Sequence, residues 1–311
     1  MKIIFFLNRR CPVGCPSCNV RASEMELEEL SPPWLERFFP RLTEIPFPGH
    51  LLWTGGEPFL SAASLKMGMS LAYSRGWRSE ILTSGAWFSG HPGWLDELLD
   101  YRPFSLRISL DAEHQARVPL IELVPLIRRA DELGLEVNFT VRPIPGRPDS
   151  RHDYLEQIKD LLPGFYRRNC QRSRWIHVIP HIPVVPQAEP GITGHNPHTQ
   201  KWKQSCNQGF KDLIIGTDGL LYPCCGLFSH SFYRKFAFGD LLTGDWRNMV
   251  AKIDRDPLLL ALKTRGPGGI CQDLDLRPET WLWPGYQTPC HLCQALFYYQ
   301  ADRVFTHYRP G

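Results

Sequence analysis

No apolar run in this 311-residue chain approaches the ~18 residues a membrane span requires, so nothing in it reads as a transmembrane helix. An excess of one charge is also missing. Lys and Arg number 35 against 32 Asp and Glu, a net +3, so there is no basic stripe of the kind nucleic-acid binding uses. A secretory signal is lacking too. The opening MKIIFFLNRRCP has one Lys and a short apolar run that Asn8, Arg9 and Arg10 end at once, which reads as a buried strand and places the protein in the cytoplasm. Internal repeats and low-complexity tracts are absent. What remains is a chain, 43% hydrophobic, able to build one sizeable domain and a smaller appendage.

Cysteine, by contrast, is plentiful. Ten occur, at 11, 15, 18, 170, 206, 224, 225, 271, 290 and 293. In a reducing compartment metal ligation or catalysis explains them better than disulfides do. Three cluster near the N-terminus and six lie beyond residue 200, which suggests two metal sites.

Apolar, β-rich runs alternate with amphipathic stretches over the first two-thirds. Strands are expected at Lys2–Leu7, His50–Thr54, Arg78–Thr83, Ser105–Leu110, Glu136–Val141 and Trp175–Val185. Helical patterns occupy Pro33–Ile45, Leu60–Arg75, Gly93–Leu99, Pro119–Leu133 and Tyr154–Leu162. This alternation predicts an α/β fold with a parallel sheet, a partial (β/α)6 barrel spanning residues 1–190 with its functional residues at the C-terminal ends of strands. A Pro- and Gly-rich segment, Ile182–His198, reads as a linker. Residues 200–311 then form a small α+β unit: a hairpin within Lys211–Tyr222 turning on Asp218–Gly219, a helix near Gly244–Ile253, an RGPGG loop and a final helix after Cys293.

Cys11, Cys15 and Cys18 form C-x3-C-x2-C directly after the first strand. Three thiolates on one short loop can hold three irons of a four-iron cluster and leave the fourth open to chelate a small molecule. A zinc site would want a fourth Cys or His nearby, and none lies between Arg9 and Ile45 apart from these three. At the end of the second strand stands Thr54–Gly55–Gly56–Glu57–Pro58, whose glycines allow close backbone approach and whose Glu57 offers an anionic acceptor for an ammonium group.

The cysteine loop and the TGGEP element together resemble the radical S-adenosylmethionine (SAM) superfamily over roughly residues 1–185. The resemblance implies that Gly55, Gly56 and Glu57 meet the methionine end of SAM. It implies further that Ser84 and Gly85, Ser109 and Asp111, and Arg142, at the ends of the third, fourth and fifth strands, complete the SAM cradle. Arg142 suits the SAM carboxylate as a planar fork. One departure is Ser17, where the family usually has an aromatic residue near adenine; Ile182 or Val184 is expected to take over that packing.

Cys206, Gly219 and Cys224 stand in C-x12-G-x4-C, and Cys290 and Cys293 in C-x2-C. Taken alone, these four cysteines fit a zinc ribbon nearly as well as an iron–sulfur cluster. They resemble the Twitch domain, the shortened SPASM extension of radical SAM enzymes, which implies an auxiliary four-iron cluster held by Cys206, Cys224, Cys290 and Cys293. Among the other cysteines, Cys170 reads as structural and Cys225 as a competitor of Cys224. Cys271, after the RGPGG loop, is the candidate catalytic hydrogen donor to a substrate radical. His177 and His181 share one side of the sixth strand, and Trp281, Trp283 and Tyr286 either line a pocket or pack the small unit.

The resemblance implies two [4Fe-4S] clusters, SAM, and a flavodoxin- or ferredoxin-type electron donor. The expected reaction is epimerisation of a carbon in a small polar metabolite such as an aminocyclitol or aminosugar. Two-electron dehydrogenation of a similar molecule, modification of a ribosomal peptide and a non-catalytic metal-binding regulator are the alternatives. Cys11 lies so near the start that no peptide-recognition domain is expected ahead of it, which favours a small molecule.

Overall fold

The computed structural model describes residues 1–16, 18–142, 150–172, 175–178, 204–206, 210–226, 233–278 and 289–309. Strand and helix alternate from the start: β1 (Ile3–Asn8), α1 (Pro32–Phe38), β2 (His50–Gly55), α2 (Ala62–Tyr73), β3 (Arg78–Thr83), α3 (Gly93–Asp96) and β4 (Phe104–Ser109). Next come α4 (Ala112–Gln115), α5 (Leu120–Glu132), β5 (Glu136–Val141), α6 (Ser150–Leu161), α7 (Pro163–Asn169) and β6 (Ile176–Val178). The C-terminal part contributes β7 (Leu213–Ile215), β8 (Leu221–Tyr222), α8 (Trp246–Arg255), α9 (Pro257–Thr264), α10 (Gly266–Asp273) and α11 (Pro289–Tyr308).

The strands form one sheet in the order β6-β5-β4-β3-β2-β1-β7-β8, parallel throughout except for the β7–β8 hairpin. β1 is an apolar run, IIFFLN, as a central strand covered on both sides should be. The hairpin foreseen within Lys211–Tyr222 is present, and β7 pairs with β1, so it extends the main sheet where a separate unit was expected. The linker and the strand continuation to Val185 fall outside the described residues.

The sheet has two unlike faces. Along β4, Phe104, Leu106 and Ile108 are buried while Ser105, Arg107 and Ser109 are half-exposed, the period-2 signature of a strand with one dry face. The dry face packs on the helices. There Phe5 stacks on Trp53, ring centroids 4.7 Å apart, and on Phe39 at 5.7 Å. The polar face carries a buried ion-pair group near the start of the strands, in which Glu80 meets Lys2 at 3.0 Å and Arg107 at 2.6 Å.

Helix starts follow capping chemistry. Asp245 accepts a hydrogen bond from the Asn248 amide at 3.0 Å, and Asp256 from the Leu259 amide at 2.9 Å with Pro257 opening α9. The RGPGG segment corrects the sequence reading: it is the start of α10, not a loop. Pro267 sits in the first turn, where its missing N–H costs nothing, and α10 is buried against α9 and α11. Likewise α11 begins at Pro289 and so includes Cys290 and Cys293.

Candidate active site

The C-terminal ends of β1 to β5 converge on one edge of the sheet. β1 ends at Asn8, which is buried and ties two strand ends together. Its side-chain amide donates to the Glu57 carbonyl at 2.9 Å and to Ser61 Oγ at 2.8 Å, while its Oδ1 accepts from the Arg10 amide at 3.1 Å. The chain leaving β1 then runs against β2. The Gly56 amide donates to the Asn8 carbonyl at 2.8 Å, and the Glu57 amide to the Arg10 carbonyl at 2.7 Å. A Cβ on Gly55 would lie 2.4 Å from the Asn8 oxygen, and one on Gly56 would lie 2.2 Å from the Arg10 oxygen. The two glycines thus admit the backbone that leads into the cysteine loop.

That loop folds back over the strand end. The Cys11 amide donates to the Ser23 carbonyl at 3.1 Å, the Cys18 amide to the Cys15 carbonyl at 3.1 Å, and the Ala22 amide to Cys18 Sγ at 3.4 Å. All three cysteines are partly exposed. Burial pushes the Cys11 thiol up to about 12, the Glu57 charge adding to it. Burial also raises Cys15 to about 12 against the lowering pull of Arg142. Both are therefore neutral thiols near pH 7 and would release their protons on binding iron.

Glu57 corrects an expectation. Its side chain is fully buried, and every oxygen is occupied within the protein. Oε1 accepts from Thr83 Oγ1 at 2.7 Å and the Phe59 amide at 3.3 Å; Oε2 accepts from the Ser84 amide at 2.9 Å and Ser84 Oγ at 2.6 Å. Its carboxylate caps the turn after β2 and clamps it to the end of β3, so it does not face outward to an ammonium group. Burial raises its pKa, the hydrogen bonds opposing that rise. Ser84 acts here as its partner, and Thr83 joins it, a residue that sequence reasoning passed over.

At the ends of β4 and β5 the expected residues do meet. Asp111 caps α4 and accepts from the amides of Glu113 and His114, both at 3.2 Å. Arg142 Nε donates to Asp111 Oδ2 at 2.7 Å, and its guanidinium approaches Glu113 at 3.5 Å. His114 is the second missed residue. Its Nδ1 lies 2.9 Å from Asp111 Oδ1 and its Nε2 lies 3.5 Å from Cys15 Sγ, so it bridges the β4 end to the cysteine loop. The signal was in ISLDAEH, where a capping Asp is followed three residues later by a His whose ring folds back on it. Burial raises the Asp111 carboxyl, but the His114 hydrogen bond and the charges of His114 and Arg142 reverse this and hold it well below the carboxylate range. Ser109 is half-buried on the same face, one rung inward. Ser17, His181, Ile182, Val184, Trp281, Trp283 and Tyr286 lie outside the described residues.

The C-terminal cysteines gather separately. Cys224 is raised by burial and by the neighbouring Cys225, with Cys206 and Cys290 adding to it. Cys293 is raised by burial and then by Cys224, Cys206 and Cys290, and burial takes Cys290 to about 12. The Cys206 amide donates to the Leu262 carbonyl at 2.9 Å, which ties that ligand candidate to α9. Among the described residues no three Cys, His, Asp or Glu side chains gather as they would around a single ion. A four-iron cluster places each thiolate on a different iron, and the thiol-only donor sets at both places suit that group. Cys271 corrects another expectation. It lies in α10, only 2% exposed and within influence of Cys293, because α10 turns it into the core; it is not on a loop reaching over the strand ends.

No protein-family model matches the sequence, and no curated protein aligns with it significantly. Solved structures do match. That of anSMEcpe with bound AdoMet and Cp18Cys peptide aligns over 99% of this chain and 99% of its own, at 12% identity and a TM-score of 0.57; the same protein with AdoMet alone gives 0.56 at 11% identity. BtrN in complex with AdoMet and 2-DOIA aligns over 88% of this chain and 90% of its own, at 18% identity and a TM-score of 0.47. At these identities the likeness is one of fold: the present chain has the mostly parallel partial-barrel fold of the anSMEcpe structures.

Proposed function

We propose that the protein is a radical SAM enzyme that removes a hydrogen atom from a small polar metabolite, with an aminocyclitol or aminosugar as the substrate class. The observation that carries this reading is the meeting of the Cys11–Cys15–Cys18 loop with His114, Asp111 and Arg142 across the ends of β1, β4 and β5. Cys11, Cys15 and Cys18 would hold a four-iron cluster with one iron left open to SAM. When bound, the cluster and SAM supply one electron and a carbon radical able to take hydrogen from carbon. The protein's own residues fix the setting. Glu57, Thr83, Ser84 and Asn8 hold the β1–β2–β3 edge rigid, and Asp111 orients both Arg142 and His114.

Cys206, Cys224, Cys290 and Cys293 would hold an auxiliary cluster, an acceptor for a second electron. The burial of Cys271 in α10 removes the sequence-based reason for preferring epimerisation, so two-electron oxidation is the reaction outcome we favour. A ribosomal-peptide substrate is the second reading, supported by the full-length alignment with anSMEcpe, whose structure contains a bound peptide. A flavodoxin- or ferredoxin-type protein is the proposed electron donor. Among the described residues no helix is long and apolar enough to cross a membrane.

The test is anaerobic reconstitution with iron and sulfide, followed by iron counting and EPR of the reduced protein with and without SAM. About eight irons per chain and a SAM-dependent change in one of two signals support the proposal. About four irons with stoichiometric zinc would reduce the C-terminal site to a structural clip. A cluster signal indifferent to SAM would overturn the reading.

A further inference from the structure

The three cysteines of the N-terminal loop all meet hydrogen-bonding groups, but not of one kind. Cys18 Sγ accepts from the Ala22 amide at 3.4 Å, and the Cys11 thiol is met by the backbone of Val13 and Gly14. Those amides come with the loop itself. Cys15 meets a side chain from another strand end: His114 Nε2 lies 3.5 Å from its Sγ, across 99 residues of chain.

The His114 ring is held from behind. Asp111 Oδ1 accepts from the Glu113 and His114 amides and Oδ2 from Arg142 Nε, so this side chain acts as a carboxylate, an acceptor only. His114 Nδ1, 2.9 Å from Oδ1, therefore donates to it. Both side chains are shielded, Asp111 at 4% and His114 at 16% exposed. With Nδ1 engaged, the ring presents Nε2 to Cys15 and to no other thiol of the loop. A thiolate that ligates iron offers lone pairs alone, so the group facing it acts as a donor. Outer groups of this kind orient a ligand and adjust the metal it holds. Hydrogen bonds to the sulfurs of an iron–sulfur cluster are among the levers on its reduction potential, because a donor stabilises the added negative charge of the reduced form.

We propose that His114 is a positioning residue of the N-terminal cluster, fixed by Asp111 through Nδ1 and hydrogen-bonded through Nε2 to the Cys15 sulfur, and that it makes the cluster easier to reduce. This rests on the cluster proposed above and adds to it a tuning group drawn from the end of β4.

The experiment is an anaerobic redox titration of the reconstituted protein, following the EPR signal that responds to SAM, with iron counted in each variant. His114→Phe keeps a ring and loses both nitrogens, whereas His114→Gln keeps an N–H at the reach of Nε2. His114→Phe should lower the reduced-to-oxidised ratio at a fixed potential roughly tenfold, a midpoint ~59 mV more negative for one electron. His114→Gln should recover most of that shift, and any signal indifferent to SAM should keep its midpoint in both variants. An unchanged midpoint in His114→Phe overturns the proposal. Equal shifts in the two variants overturn it too, since the ring would then act through packing. Should His114→Phe lose about four irons, His114→Gln decides. Iron and midpoint both retained there support the bond to Cys15, and loss of either overturns it. A wild type with no SAM-responsive signal overturns the underlying function as well.

Discussion

Replacing Asp111 with Asn tests the electrostatics of the strand-end cradle directly. The substitution keeps the side-chain shape and an oxygen able to cap α4, but removes the charge that Arg142 and His114 share. Asp111 and Arg142 side chains are 4% and 11% exposed, so the guanidinium loses its Asp111 partner in a site poorly reached by water, with Glu113 still beside it at 3.5 Å. Breaking a buried pair on one side costs about 3–5 kcal/mol; the remaining Glu113 contact and the retained cap bring the expected loss to ~2–4 kcal/mol. The sign with pH follows from the depressed carboxyl of Asp111. Its stabilisation is fully present above the ordinary carboxylate pKa near ~4 and fades as pH falls toward the folded value, by ~1.4 kcal/mol per unit. Urea unfolding of wild type and Asp111→Asn, both cluster-free and reduced, should show a gap that is flat from about pH 8 to 5 and narrows below about pH 4. A gap under ~1 kcal/mol at pH 7, or one that stays constant to pH 3, would refute the argument that a charged, buried pair holds these strand ends.

Other outcomes follow from single residues. Gly56→Ala should abolish iron incorporation at the N-terminal loop, because the new methyl would sit 2.2 Å from the Arg10 carbonyl and displace the chain into Cys11; iron counts near four rather than eight would register it. Cys290→Ala should lose the auxiliary cluster, seen as loss of one EPR signal, while SAM cleavage persists. Cys271→Ala should cost ~1 kcal/mol as a small core truncation and leave the product unchanged, by chromatography against wild type; a switch of product would return Cys271 to the mechanism.

The fold was legible where period and length agreed. β3 and β5 were placed to the residue, and the others of the first five strands to within one, because apolar runs of about six residues ended at polar or glycine positions. The three-cysteine loop and its proximity to TGGEP were legible for the same local reason. Two kinds of feature were not. RGPGG reads as a loop to any propensity argument, yet burial against α9 and α11 makes it helical, and this moved Cys271 from an imagined lid into the core. Glu57 looked like a ligand because spacing says nothing about direction. Only the fold reveals that Thr83 and Ser84, 26 and 27 residues away, consume its oxygens. His114 was hidden similarly: its contact with Cys15 spans 99 residues.

The pairing of β7 with β1 makes the chain a poor candidate for modular cutting. The strand that delivers the cysteine loop is closed on its outer side by Leu213–Ile215, with the Lys2 amide donating to Asp212 Oδ1 at 2.6 Å and the Leu213 amide to the Lys2 carbonyl at 3.0 Å. A fragment ending before residue 204 would leave β1, one of the most apolar strands in the protein, as a naked edge inviting strand addition from another molecule. Because Cys206 and Cys224 flank this same hairpin, the C-terminal cysteine segment cannot be lifted out for transplantation without also uncovering β1.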